Sequence, residues 1–275
     1  MIEFDVPVDG GQLHAYDTGG DGIPIVWHHG TPNLGAPPAP LFAAADRLGL
    51  RWVSYDRPGY GGSTPAPGRD FASAARYTAA LADHLGLDRF GVFGHSGGGP
   101  HALACAALLP ARVFGAVSVS GLAPISADDL DWYAGMAAGS EATLRAAAAG
   151  RTALEGHLAA EEEGVDIGFA DVDWAALEGE WGWFGSVVGP AIATGPAALI
   201  DDDLANTGAW GFDPAAIAVP VLLMHGDADR MVPSTHSAWL AAHIPGAEYR
   251  HWPADGHISV LHHAEQALEW LRKSA

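Results

Sequence analysis

Phe90-Gly91-Val92-Phe93-Gly94-His95-Ser96-Gly97-Gly98-Gly99-Pro100 is the stretch whose reading decides the fold. An apolar run of β-formers ends at Gly94 and a helix-compatible stretch begins near Gly98, so Ser96 falls in the turn from a strand into a helix. Residues 94–98 fit the pattern G-x-S-x-G, which occurs once in the chain. Its glycines let the backbone reverse sharply while the serine takes a strained, positive-φ conformation that leaves Oγ exposed. A nucleophile would sit there.

Outward from this turn the chain alternates short strands and helices. Glu3 to Pro7 and Gln12 to Tyr16 alternate apolar and polar around Asp9-Gly10-Gly11, a hairpin signal that predicts antiparallel edge strands. Buried strands are predicted at Ile23 to His28, Arg51 to Tyr55, Val113 to Val119 and Val219 to Gly226, with a last strand at Glu248 to Trp252. Helical spacing appears at Leu41 to Leu48, Phe71 to Leu85, Pro100 to Leu109, Thr235 to Ala242 and through Leu271. This rhythm predicts an α/β fold: a mostly parallel central sheet flanked by helices. It stops after Gly121. From Leu122 to Pro214 the pattern is helical and irregular, and 17 of the 33 acidic residues fall between Ser126 and Asp213 against only Arg145 and Arg151. The shift predicts an inserted helical cap over 122–214 on a core made of 1–121 and 215–275.

Composition narrows the classes of function. The formal charge of −20 disfavours nucleic acid and anionic membrane surfaces as partners, and a small-molecule substrate is expected instead. No apolar run approaches the roughly 20 residues of a membrane span, and the acidic start Met-Ile-Glu-Phe-Asp lacks the features of a signal peptide, so a cytoplasmic protein is expected. A single cysteine, Cys105, in an apolar helical stretch reads as a small buried hydrophobe. The histidines lack nearby carboxylates at recognised ligand spacing, so neither a metal nor a cofactor is expected. The runs Glu161-Glu162-Glu163 and Asp201-Asp202-Asp203 read as solvated helix faces, and Asp56 and Arg57 as a structural pair near the sheet.

Five features in order, His-Gly-Thr-Pro at 29–32, Asp-Arg-Pro-Gly-Tyr-Gly-Gly-Ser at 56–63, the turn at 94–98, Gly-x-x-Asp-x-x-x-Pro at 226–233 and Gly-His at 256–257, resemble the α/β-hydrolase fold superfamily. The resemblance covers nearly all of the chain except the cap. It implies Ser96 as nucleophile, His257 as the base that takes its proton, and an acid that orients the histidine, for which the motif favours Asp229 over Asp227. It also implies an oxyanion hole from the backbone N–H groups of Thr31 and Gly97, with His29 and Gly30 supporting the loop. His95, beside the nucleophile, has an open role.

A serine at 96, rather than an aspartate, favours acyl transfer to water over dehalogenation or epoxide opening. The expected activity is cleavage of a small, mostly apolar carboxylic ester or lactone, with cap aromatics Trp132, Trp174, Trp181, Trp183, Trp210, Phe169, Phe184 and Phe212 offering walls for a pocket or packing the cap onto the core. Alternatives are an aminopeptidase similar to proline iminopeptidases, with cap carboxylates near Glu161 to Glu163 or Glu178 to Glu180 meeting the amine, a cofactor-free lyase or perhydrolase, and a non-catalytic ligand-binding protein. The chain departs from the iminopeptidases in having His-Gly-Thr-Pro rather than His-Gly-Gly-Pro-Gly.

Overall fold

The computed structural model describes residues 1–160 and 165–275. Eight strands form one sheet: β1 (Ile2–Val8), β2 (Gly11–Asp17), β3 (Ile23–His28), β4 (Leu50–Tyr55), β5 (Phe90–His95), β6 (Val113–Val119), β7 (Val221–Gly226) and β8 (Glu248–Trp252), in the order β1-β2-β4-β3-β5-β6-β7-β8. The hairpin β1–β2 is antiparallel and β2 meets β4 antiparallel, whereas every pairing from β4 to β8 is parallel. Strands β5, β6 and β7 are buried at every residue, which is why they read as continuous apolar runs rather than alternating ones.

Helices α1 (Phe42–Arg47), α2 (Ser73–His84), α3 (Gly98–Leu108), α9 (Thr235–His243) and α10 (Ala264–Ser274) flank this sheet. Two apolar layers result. One places Leu81, Leu103 and Leu240 against Val26, Val92 and Leu223, and the other places Leu268 and Leu271 against Ile25, Phe93 and Leu222. Between β6 and β7 lie the cap helices α4 (Ala138–Ala148), α5 (Arg151–Ala160), α6 (Asp171–Glu178), α7 (Gly185–Ile192) and α8 (Ala197–Asn206), with a 3-10 turn at Glu180–Phe184. The chain is thus an α/β sheet with an inserted helical cap. Among the described residues no single helix is long and apolar enough to cross a membrane, although one bent pair, Glu180–Ile192 with Ala197–Asn206 at 108°, has the length and composition.

Two sequence readings change here. Asp201, Asp202 and Asp203 are buried rather than on a solvated face: Asp201 meets Arg151, Asp202 meets Arg57 and Arg69, and Asp203 accepts from Asn206 Nδ2. Asp56 and Arg57 are both buried but do not pair with each other. Asp56 accepts from Gly35 N, Gly62 N and Tyr16 Oη, while Arg57 turns to Asp202 and the loop after β3. Adjacent residues at a strand end point to opposite sides, so adjacency did not imply contact. Glu161-Glu162-Glu163 lies outside the described residues.

The turn at Ser96 explains its glycines. Ser96 has φ 54°, and its N–H donates to Val119 O at 2.8 Å, fixing it at the end of the sheet. A Cβ at Gly94 would lie 2.1 Å from Gly98 O, and one at Gly98 would lie 2.0 Å from His28 O. Both obstacles are backbone, so Gly98→Ala is expected to cost about 3 kcal/mol or more in urea unfolding. Gly156→Ala, on α5 with nothing within 4 Å of the added methyl, should instead stabilise by roughly 0.5–1 kcal/mol.

Candidate active site

The C-terminal ends of the parallel strands converge on Ser96. His257, in the loop after β8, brings Nε2 to 2.9 Å from Ser96 Oγ, and its Nδ1 donates to Asp229 Oδ2 at 2.7 Å. Asp229, at the end of β7, is the acid that meets the histidine. Asp227 turns outward to His251 Nδ1 at 2.8 Å.

Asp229 is held by more than His257. Its Oδ1 accepts from Met231 N and Val232 N, both at 2.9 Å, and its Oδ2 also receives His225 Nε2 at 3.2 Å. His225 Nε2 donates to Val232 O at 2.7 Å as well, so that nitrogen carries the proton and Nδ1 accepts from Ser237 Oγ. Burial alone would raise the Asp229 pKa. The His257 charge and the hydrogen bonds from His225 and His257 outweigh it, and the carboxyl titrates well below the usual range. For His257 burial works toward a lower pKa, but the Asp229 charge and hydrogen bond, with the Asp173 charge, raise it above 6.5.

Thr31 and Gly97 face each other beside Ser96. A Cβ on residue 97 would lie 2.6 Å from Thr31 Oγ1 and 3.8 Å from Thr31 N. Among the described residues neither of their N–H groups donates to a protein acceptor, which leaves both able to meet a developing oxyanion. His29 Nε2 accepts from Arg57 N at 3.0 Å and its Nδ1–H donates to Gly30 O at 2.8 Å. Burial, with the Arg57 charge, keeps this imidazole neutral. His95 Nε2 donates to His257 O at 3.0 Å, and burial first, then the His257 charge, holds its pKa down to about 3.

Two cap carboxylates that sequence reasoning missed hold the loops carrying these groups. Asp173 on α6 is fully buried and accepts from the backbone N–H groups of His257, Ile258 and Ser259 at 3.1, 2.8 and 2.9 Å. Asp202 on α8 accepts from Arg57 Nε at 3.0 Å and Nη2 at 2.6 Å, Arg69 Nη1 at 2.5 Å, Tyr60 Oη at 2.8 Å and Thr31 Oγ1 at 2.7 Å. Arg57 in turn donates to His29 O and Gly30 O. Burial would raise the Asp202 pKa, but the Arg57 and Arg69 charges hold it well below the carboxylate range. The available signal was a pair of arginines, 57 and 69, in a chain with only 13 basic residues; buried arginines need a buried acid.

Two cavities meet at Ser96. The larger, about 440 Å³, is walled by Phe169, Leu177, Phe184, Val188, His257 and Ile258 among others. The smaller, about 160 Å³, runs past Gly97 and Leu122 between α4 and α8. Of the cap aromatics, Phe169 and Phe184 line the larger cavity, and the tryptophans and Phe212 do not. Trp132, Trp181 and Trp210 are buried as packing, and Trp174 is exposed. Glu178 and Glu180 are exposed and line neither cavity. The arrangement has the geometry to deprotonate a serine and to meet an oxyanion beside an apolar cavity.

The family model described as alpha/beta hydrolase fold matches residues 23–264. The chain is 30% identical over 266 residues to a non-heme haloperoxidase of Rhodococcus erythropolis, covering 93% of each, and 30% identical over 260 residues to a 2-hydroxymuconate semialdehyde hydrolase of Pseudomonas putida, covering 90% of this chain and 85% of that one. Among solved structures it resembles an esterase of Thermogutta terrifontis, with a TM-score of 0.70 and 22% identity over 100% of this chain and 99% of that one.

Removing the Asp202 charge strands Arg57 and Arg69 in a dry interior. Asp202→Asn is expected to lose about 3–5 kcal/mol in urea unfolding. A loss below about 1 kcal/mol would show that the two arginines find other counter-charge.

Proposed function

The chain belongs to the α/β-hydrolase fold family and is a hydrolase, and from that premise we propose that it cleaves a small carboxylic ester or lactone through an acyl-enzyme on Ser96. The observation that carries this reading is the continuous relay Ser96 Oγ, His257 Nε2, His257 Nδ1, Asp229 Oδ2, with steps of 2.9 and 2.7 Å, opening onto an apolar cavity.

In this reading His257 takes the Ser96 proton as Oγ attacks the carbonyl carbon, and the oxyanion that forms is met by Thr31 N–H and Gly97 N–H. The imidazolium then gives its proton to the departing alkoxide. Water, deprotonated by the same nitrogen, attacks the acyl-enzyme and releases the acid. Asp229 keeps Nδ1 protonated and stabilises the cation without itself being protonated. In this reading the chemistry is carried by these side chains, the two backbone N–H groups and water.

The relative named a non-heme haloperoxidase favours a second reading on the same site. Hydrogen peroxide would replace water at the acyl-enzyme, releasing a peracid and free Ser96. Peracid formation when peroxide is added during ester turnover tests it; formation of carboxylic acid alone excludes it. A free-amine substrate draws no support from Glu178 and Glu180, which are exposed and line neither cavity, and Glu161 to Glu163 lie outside the described residues.

Turnover of p-nitrophenyl esters should fall by at least about 10³-fold in Ser96→Ala. Absence of ester turnover, with no labelling of Ser96 by a fluorophosphonate, would sink the esterase reading. The base must be neutral to act, and its pKa is raised in the folded protein, so kcat/KM should rise with pH and reach half its plateau above pH 6.5. Asp229→Asn removes the cause of the rise. It should move that limb to lower pH and reduce kcat by about 10⁴-fold.

A further inference from the structure

Five of the side chains that line the larger cavity carry polar groups: Thr31, Asn33, His95, Ser96 and His257. Four of them are committed within the protein. Thr31 Oγ1 donates to Asp202, His95 Nε2 donates to His257 O, and Ser96 Oγ meets His257 Nε2, whose ring is held by Asp229. Asn33 differs. It is only 4% exposed, yet among the described residues its carboxamide makes no hydrogen bond. An asparagine in a turn commonly bonds to the backbone beside it, and a buried amide is almost always paired, so an idle one calls for a reason.

Loop slack does not supply that reason. Leu34 N donates to Val187 O at 3.0 Å, Gly35 N donates to Asp56 Oδ1 at 2.6 Å, and Thr31 is tied to the cap two residues earlier. The amide also lies close to the chemistry. A Cβ on Gly30 would lie 3.2 Å from Asn33 Nδ2 and 3.5 Å from Ser96 Cβ, so amide and nucleophile border one small space. The nitrogen and oxygen of Asn33 keep contact with open space, unlike His95 Nδ1, which the protein encloses without a partner.

The rest of the wall limits what could pair with this amide. A carboxamide offers two N–H donors and an acceptor oxygen. No lysine, arginine, aspartate or glutamate lines the cavity, so a charged guest would find no counter-charge there. A neutral oxygen, as a hydroxyl or a ketone carbonyl, accepts from the Asn33 N–H without that penalty. Plain hydrocarbon in the same place would leave the amide dry and unpaired, at a cost.

Resting on the acyl-transfer reading above, we infer that Asn33 is a specificity-determining residue: the substrate is an ester or lactone with a second, neutral oxygen that its carboxamide meets in the larger cavity.

The test uses two series, so that the oxygen sits on either side of the ester. One compares ethyl butanoate with its 3-hydroxy and 3-oxo derivatives, and the other compares propyl butanoate with its 2-hydroxypropyl and 2-oxopropyl counterparts. In at least one series the parent should favour an oxygenated ester by about three- to tenfold in kcat/KM, the worth of one neutral hydrogen bond. Asn33→Leu should bring that ratio toward one and raise turnover of the plain ester, and Asn33→Ala should lower the ratio as well. Calorimetry on Ser96→Ala reads the dissociation constants of the same esters without an acyl-enzyme. A binding preference that Asn33→Leu abolishes in that background, with no turnover by the parent, would sink the acyl-transfer reading and leave the Asn33 contact standing. No preference in either series, a preference that survives both Asn33 variants, or binding of none of the esters would overturn the contact.

Discussion

Moving a carboxylate from water into a protein interior is costly unless donors replace its hydration, and breaking such an arrangement costs more than forming it gains. Asp202 is the sharpest case in this molecule. It is 1% exposed and receives two arginines, a tyrosine and a threonine. Arg57, once neutralised, spends its remaining donors on the carbonyls of His29 and Gly30, so the loop carrying Thr31 is shaped by a charge that comes from the cap. Asp173 does the same for the other loop, gathering three successive N–H groups around His257. A Cβ on Gly256 would lie 2.2 Å from Asp173 Oδ2, so the glycine before the histidine is what lets the carboxylate in.

The sheet supplies the other half of the arrangement. Parallel strands bring their C-terminal ends to one edge, so residues far apart in sequence arrive together: Ser96 after β5, Asp229 after β7 and His257 after β8. Ser120, after β6, also has positive φ, at 52°, and its Oγ donates to His257 O at 3.5 Å, so even the strand that carries none of the candidate triad buttresses the histidine loop.

The sheet, the turn at Ser96 and the candidate histidine were legible because each leaves a local mark: continuous apolar runs for buried strands, glycines where backbone touches backbone, and motif spacing at 226–233 and 256–257. The helical insertion between β6 and β7 was legible as a break in rhythm and a shift in charge. Its carboxylates were not. Asp202 lies 145 residues from Arg57, and Asp173 lies 84 from His257, so nothing near either aspartate in sequence distinguishes it from a solvated one. An acidic run on a helix looks the same whether water or arginine faces it. The pairing assigned to Asp56 and Arg57 failed for a related reason, since neighbours on a strand end diverge. The cap aromatics divide between the two roles that the sequence left open for them. Size alone did not say which would wall a pocket: the fold uses Trp132, Trp181 and Trp210 as filling and leaves the walls to Phe169 and Phe184.

Asp173 and Asp202 also bear on how such a chain can change over generations. A cap that merely roofed a pocket could be lost, swapped or redrawn with little effect on the machinery beneath, like a handle fitted to a tool. Here the two acids are spliced into the machinery, so inheritance of the roof and of the machinery is joined. Grafting a foreign cap between β6 and β7 would have to import both carboxylates at the right depth, or replace Arg57 and Arg69 together with it. Freedom to diversify is left to the cap's remaining surfaces, away from Asp173 and Asp202.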